Sequence, residues 1–268
     1  MSHAHAQPAA VSAPPFQPAT TMPVREIAEH LRETGLIAVD RLMLRAAVTA
    51  FAARVMRVTA HRDSDPQDRL TTIYDTQRHA RCAGFAGFTS SELAPHTERS
   101  GTPRPPRLML LVCGYSAATG GECLLTDGRA VHADLAAHHP ETLDLLSTRR
   151  TAFFGGGDGH AGQVFTPQPQ GRVSLRLRLD ALARWNPLVE PHLPHLRAAI
   201  HRHQITLPLL AGQGYLLDNS RWLHARNRYT GDRLCWRALG EPLPQLAFPI
   251  GFRPAPGIPD RAPEEAVS

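Results

Sequence analysis

Lysine does not occur in this sequence, so its 29 basic residues are all arginine. That absence removes several chemistries together. There is no lysine for a P-loop phosphate, none for a Schiff base and none for the nucleotide-binding strand of a kinase. What remains is a set of permanently charged planar forks that match carboxylates and phosphates. Cysteine is scarce as well: Cys82, Cys113, Cys123 and Cys235 stand far apart, with no Cys-x-x-Cys pair. Neither a disulfide framework nor a structural zinc site fits that spacing, whereas a reduced compartment does. Aromatic residues make up only 6% and do not interleave with the arginines, and like charges form no long block. The net charge of +5 therefore does not by itself mark a nucleic-acid partner. No apolar stretch approaches the ~18 residues of a membrane span, and the N-terminal residues lack the charged and apolar regions of a signal peptide. The expectation is a soluble, cytoplasmic protein with a small-molecule substrate and no membrane or nucleic-acid partner.

Large apolar residues are nearly missing from 1–22 and 253–268, so both read as disordered tails around one domain at 23–252. Helical period predicts helices over 24–34, 42–58, 130–146 and 190–203. Strand-like segments are more numerous: 36–39, 71–74, 108–113, 122–125, 151–154, 173–179, 205–209, 215–217, 222–225 and 234–239. The clearest is 173–179, where Val173, Leu175, Leu177 and Leu179 alternate strictly with Ser174, Arg176 and Arg178. Many short strands broken by Gly, Pro and Asp-Asn turns predict a mainly β sandwich or barrel with helices packed outside.

Histidine is plentiful, at 15 residues, and four His-x-acid pairs occur: His61/Asp63, His96/Glu98, His132/Asp134 and His139/Glu141. On extended backbone, residues i and i+2 point to one side and can share a cation; on a helix they diverge. His132/Asp134 and His139/Glu141 fall in a helical stretch and read as a solvated face, and His61/Asp63 has turn composition. His96-Thr-Glu98 precedes the apolar run 108–113 and would sit at the mouth of a sheet. Adding one histidine from a facing strand would give the two-His, one-carboxylate face that leaves positions open on ferrous iron. His224 is the natural candidate, although a histidine satisfied within its own strand is the plainer reading of that residue alone.

His96-Thr-Glu98, Gly120-Gly-Glu, Asp218-Asn-Ser-Arg-Trp-Leu-His224-Ala-Arg226 and Arg233-Leu-Cys-Trp-Arg237 occur in that order. Together they resemble the taurine dioxygenase and clavaminate synthase-like branch of iron(II)/2-oxoglutarate oxygenases, over residues 84–239. The resemblance implies a double-stranded β-helix, a cupin-like jelly roll with flanking helices. It implies Fe(II), 2-oxoglutarate and dioxygen as cofactor and co-substrates, with His96, Glu98 and His224 as metal ligands. Arg233 then grips the distal carboxylate of 2-oxoglutarate, and Arg237, four residues on along a strand, is a second arginine near the co-substrate or the substrate. Where the family often places a threonine after Gly-Gly-acid, this chain has Cys123; either Cys123 packs there as a small apolar residue or Thr126 serves instead. An intact carboxylate at Glu98 favours oxygen insertion over halogenation. The implied reaction is hydroxylation or desaturation of an unactivated C–H, with release of succinate and CO2, in natural-product biosynthesis of the antibiotic type.

Candidate substrate-lining residues are Tyr74, Thr89, Phe153, Phe154, Arg176 and Arg226, with the glycine-rich residues 155–160 as a lid or a surface turn. A carboxylate-bearing substrate, such as an amino acid or amino acyl group, matches the basic composition. Two rival readings stay open: a zinc-type hydrolase using the same three ligands, and a basic nucleic-acid-binding module that would not need His96.

Overall fold

Leu108, Leu110 and Val112 leave one face of a single strand while Met109, Leu111 and Cys113 leave the other, and both faces are covered. A strand buried on two sides needs a layer on each, and that requirement organises the chain. The computed structural model describes residues 13–78 and 83–255. Its principal strands are Gln17–Pro18 (β1), Leu36–Asp40 (β2), Met56–Val58 (β3), Thr71–Ile73 (β4), Leu93–His96 (β5) and Leu108–Tyr115 (β6). They continue with Cys123–Asp127 (β7), Gln204–Leu207 (β8), Gly214–Asp218 (β9), Trp222–Arg226 (β10) and Leu234–Pro242 (β11). The larger sheet runs β1-β2-β9-β6-β11-β3, with β4 also on β11, and the smaller runs β8-β7-β10-β5. All pairings are antiparallel except β1 with β2.

Between the sheets lies one apolar cluster, in which Met109, Tyr215 and Leu217 from the larger sheet meet Leu125, Ile205 and Leu207 from the smaller. The outer face of the larger sheet is covered by Val24–Glu33 (α1) and Arg45–Val55 (α2), whose Ile27, Leu31, Val48 and Phe51 sit on Leu110 and Leu216. The outer face of the smaller sheet is covered by Gly128–His138 (α3), Pro140–Ser147 (α4) and Leu193–Arg202 (α5), through Leu135, Leu146 and Leu196. Two facing antiparallel sheets with helices outside are the double-stranded β-helix expected from the sequence. Among the described residues, no helix is long and apolar enough to cross a membrane.

Five sequence expectations need correction. Residues 17–22 are not a tail: β1 pairs with β2, Ala19 and Met22 are buried, and Arg54 donates to the carbonyls of Ala19, Thr20 and Met22. One half-buried guanidinium does there what large apolar residues do elsewhere. The remainder of the two expected tails, 1–12 and 256–268, and Cys82 lie outside the described residues. The helix predicted to end at 58 stops at Val55, and the next three residues pair with β11. The helix predicted over 130–146 is two helices, because Pro140 has no N–H to continue the first and has the fixed φ that starts the second. The strand predicted over 173–179 ends at Leu175; beyond it, Leu177 pairs with Thr97 and Arg178 bridges His96.

Asp134, expected on a solvated face, is buried instead. Its carboxylate receives Arg202 at 2.6 and 3.0 Å and faces His203 Nε2 at 2.8 Å, which ties α3 to the end of α5. Burial alone would raise its pKa, but the hydrogen bonds from Arg202 and then His203 outweigh that and hold it at about 2. Asp134→Asn is expected to lower unfolding free energy at pH 7 by about 1–2 kcal/mol, since Arg202 can still reach water. The deficit relative to the parent should shrink as pH falls from ~4 toward 2, because a depressed carboxylate stabilises only while it is ionised. Urea unfolding at several pH values measures both.

Candidate functional site

β5 and β10 run antiparallel at the edge of the smaller sheet, and their register sets His96 directly opposite His224. The two imidazole centroids are 4.1 Å apart. Glu98 follows two residues after His96, just past the strand end, so extended backbone returns its side chain to the same side. One donor atom from each of His96, Glu98 and His224 lies within 4.8 Å of the others. His224 Nε2 stands 3.4 Å from Glu98 Oε1. A register shift between His224 and Arg226 bends the pair just beyond the histidines, as bulges near functional sites do.

Each donor is held from behind. Asn219 accepts from Glu98 N at 2.7 Å and donates to the carbonyls of Glu98 at 3.1 Å and Pro106 at 2.8 Å, so it clamps the loop that carries the carboxylate. Thr97, between the two candidate ligands, exchanges bonds with the backbone of Leu177. His96 Nδ1 is 2.9 Å from Ala94 O, a partner that accepts only, which places the proton on Nδ1 and leaves the Nε2 lone pair free. Arg237 Nη1 donates to Glu98 Oε1 at 2.7 Å.

Protonation states follow from burial and neighbours. Burial pushes His96 down to about 3, with His224 adding to the effect, so its ring is neutral. For Glu98 burial works toward the acid form, but the Arg237 guanidinium and the His224 hydrogen bond hold the carboxyl well below its usual range. Two imidazole groups and a carboxylate are the donor set of an open ferrous site. His224 Nε2 is the nitrogen turned toward the Glu98 carboxylate, and His96 has its Nε2 lone pair free, so the donor chemistry at this point suits a cation. The residues present therefore fit the metal that the sequence implies.

The triad opens into a cavity that Arg233, Arg237, Cys123 and Arg226 also line. Arg233 is buried, with Nη2 3.7 Å from Cys123 Sγ and its guanidinium 5.8 Å from the Tyr229 ring centre. No carboxylate pairs with it among the described residues. Burial pushes the Cys123 thiol up to about 11 against the pull of Arg233, so it stays neutral. Of the two groups considered for the co-substrate, Cys123 is the one at the cavity. Thr126 is buried away from it, since three residues along a strand change face. Arg237 shares the cavity with Arg233, as the i, i+4 spacing predicts, but its bond goes to Glu98.

Most of the predicted substrate residues are elsewhere. Arg226 lines the cavity, yet it spends its guanidinium on the carbonyls of Ala86, Gly87, Thr89 and Ser91, pinning the loop at the mouth. Thr89 folds its hydroxyl onto Ala86 O. Arg176 donates to the carbonyls of Ser100, Thr102 and Pro103, because the strand break after Leu175 turns it away. Tyr74 is exposed beyond the end of β4, and Ile73 takes the lining place. Phe154 packs in the outer core against Trp185, and Phe153 lies in the same short strand, so neither reaches the cavity. Residues 155–159 form the turn between the paired strands Ala152–Phe154 and His160–Gly162, and neither they nor His160 are among the lining.

Sequence reasoning missed His61, Asp63, Arg178 and Asp180, all of which line the cavity, and the clamp by Asn219. His61/Asp63 is a local pair, with Asp63 N donating to His61 Nδ1 at 3.2 Å, and it does not join the metal-ligand cluster.

Solved structures with this fold include an asparagine oxygenase in complex with Fe(II), 2S,3S-3-hydroxyasparagine and succinate, which is 18% identical and superposes with a TM-score of 0.66 over 83% of this chain and 79% of that one. The non-heme iron oxygenase OrfP, in complex with Fe and alpha-ketoglutaric acid, is 14% identical at a TM-score of 0.63, covering 83% and 81%. PvcB from Pseudomonas aeruginosa is 13% identical at a TM-score of 0.65, covering 83% and 81%. A family model extends the likeness from fold to sequence: it matches residues 4–239 and so takes in all three candidate ligands and both strand arginines. On that match the chain belongs to the taurine catabolism dioxygenase TauD, TfdA family, and it is a 2-oxoglutarate-dependent non-haem iron oxygenase.

Proposed function

We propose that His96, Glu98 and His224 hold iron(II), that Arg233 receives the distal carboxylate of 2-oxoglutarate, and that the enzyme hydroxylates an amino acid or a similar small carboxylate. The observation that carries this reading is Arg233: a buried guanidinium beside an open two-His, one-carboxylate face, with no carboxylate of its own among the described residues. A buried charge without a partner is costly, and a dicarboxylate ligand relieves that cost when it binds. A hydrolytic zinc site would leave the same arginine without a task. Bound at the triad, iron with 2-oxoglutarate and dioxygen supplies the oxidising power for an unactivated C–H, at the expense of decarboxylation to succinate.

The chain's own residues do the positioning. Asn219 fixes the Glu98 backbone, Ala94 O sets the His96 tautomer, and Arg237 keeps Glu98 ionised and offers its remaining N–H groups to a substrate carboxylate. Arg226 draws the loop at 86–91 over the mouth, which limits water. An amino-acid substrate is supported by the products named in complex with the asparagine oxygenase and with OrfP, 3-hydroxyasparagine and (3S)-hydroxy-L-Arg. A place in natural-product biosynthesis is supported by PvcB, which is described as acting in an isonitrile synthetic pathway.

Anaerobic addition of iron(II) and then 2-oxoglutarate to the purified protein is expected to give the weak visible charge-transfer band of bidentate keto-acid chelation. Zinc in place of iron should give none. A protein that binds iron yet shows no band on adding 2-oxoglutarate would overturn the assignment.

A further inference from the structure

Arg178 lines the cavity and is used differently from its other arginines. Its Nε and Nη2 donate to the two oxygens of Asp180, at 2.7 and 2.5 Å, so the fork is fixed in one orientation. Nη1 has no partner among the described residues, and its two N–H groups are available to a ligand. Arg226, by contrast, is spent on backbone carbonyls, while Arg237 gives only its Nη1 to Glu98. Arg178 is also the bridge partner of His96, so it stands beside one candidate metal ligand as Arg237 stands beside another. A molecule lying over the triad therefore meets two guanidinium groups.

Charge balance points the same way. Six arginines and three carboxylates line the cavity. Iron(II) and the two carboxylates of 2-oxoglutarate cancel each other, which leaves the excess of arginine to the substrate. Two acidic groups offset more of it than one, and even with a charged ammonium group such a substrate stays net negative in a net positive cavity. Asp180 does not serve as the counter-charge for a cationic substrate, because one of its oxygens already accepts from both Arg178 Nε and Leu182 N and the other from Arg178 Nη2.

We propose that Arg178, held in place by Asp180, is a specificity-determining residue that reads an acidic group on the substrate in addition to the carboxylate met by Arg237. The substrate class is then a small molecule with two acidic groups, of which an acidic amino acid is the simplest. This rests on the iron and 2-oxoglutarate reading above.

The test is calorimetric titration of the anaerobic iron/2-oxoglutarate protein with L-aspartate, L-glutamate, L-asparagine and L-glutamine, with the charge-transfer band followed in parallel. One of the two acids is expected to bind at least about tenfold more tightly than its own amide, the margin a charge-assisted bond gives over a neutral one. The double variant R178Q/D180N removes both members of the pair without leaving an orphaned charge, and should bring the acid-to-amide ratio to about one. R178Q alone leaves Asp180 to repel the acid and should invert the ratio. The proposal is overturned if the amide binds as well as the acid in the parent, if the preference survives in R178Q/D180N, or if the band forms and neither acid binds. Failure of the band itself rejects the underlying assignment and is told apart by appearing before any amino acid is added.

Discussion

Glu98→Ala is expected to lower succinate formation by more than about a hundredfold, the upper range for loss of a contact that merely supports a metal ligand. Three observations make the effect large. Glu98 is the only carboxylate in the donor cluster found among the described residues, so no neighbour can take its place. Its backbone is clamped from both sides by Asn219, so the loop cannot bring another group in. Its loss also leaves Arg237 partly buried beside two imidazole groups, with nothing to oppose its charge where the cation should sit. Glu98→Gln separates the last effect from the first: it keeps the shape and a hydrogen-bond acceptor for Arg237 but not the anionic donor. Activity should be lost in both, with thermal stability closer to the parent in Glu98→Gln. Iron binding measured by equilibrium dialysis would decide the case; a Glu98→Gln protein that binds iron with parental affinity would remove Glu98 from the ligand set.

How far the sequence announces this site depends on how local each relation is. His96 and Glu98 are two residues apart on extended backbone, which is a periodicity, and His224 lies on the strand that pairs with them. Arg233 and Arg237 share one strand face for the same reason. By contrast, Asn219 acts on Glu98 from 121 positions away, and no pattern in the Asp218-Asn219 turn says which loop it will clamp. Arg176 and Arg178 are equivalent in the alternation of 173–179 and were separated only by the strand break after Leu175, which turns one toward backbone carbonyls and leaves the other at the cavity. His61 and Asp63 are hidden by ordinary turn composition, since their importance comes from where the segment between β3 and β4 is laid down. The two-layer architecture was legible because strands such as β6 are apolar on both faces. Polar anchors, such as Arg54 under residues 19–22 and Asp134 between α3 and α5, were not, because their partners come from distant parts of the chain.

Arg233→Met should raise the 2-oxoglutarate concentration needed for half-maximal turnover by about 10²–10⁴-fold, the range given by losing two charge-assisted hydrogen bonds to one carboxylate. Arg233→Lys should recover only part of that, since a point charge cannot reproduce the planar fork. A second readout distinguishes a ligand-binding arginine from a structural one. In the protein without co-substrate, the guanidinium is buried with a thiol for a hydrogen-bond partner and an aromatic face beside it, and nearby Arg226 opposes it. Replacing such a group with an apolar side chain of similar length is expected to raise the melting temperature, because the unpaired charge no longer has to be desolvated. Adding 2-oxoglutarate should then stabilise the parent, by an amount that grows with the logarithm of its concentration, and leave Arg233→Met almost unmoved. Thermal denaturation of both proteins with and without the co-substrate measures all of this together. If Arg233→Met instead melted lower than the parent and still responded to 2-oxoglutarate, the arginine would be part of the scaffold, and the carboxylate would have to be held by another of the cavity's guanidinium groups.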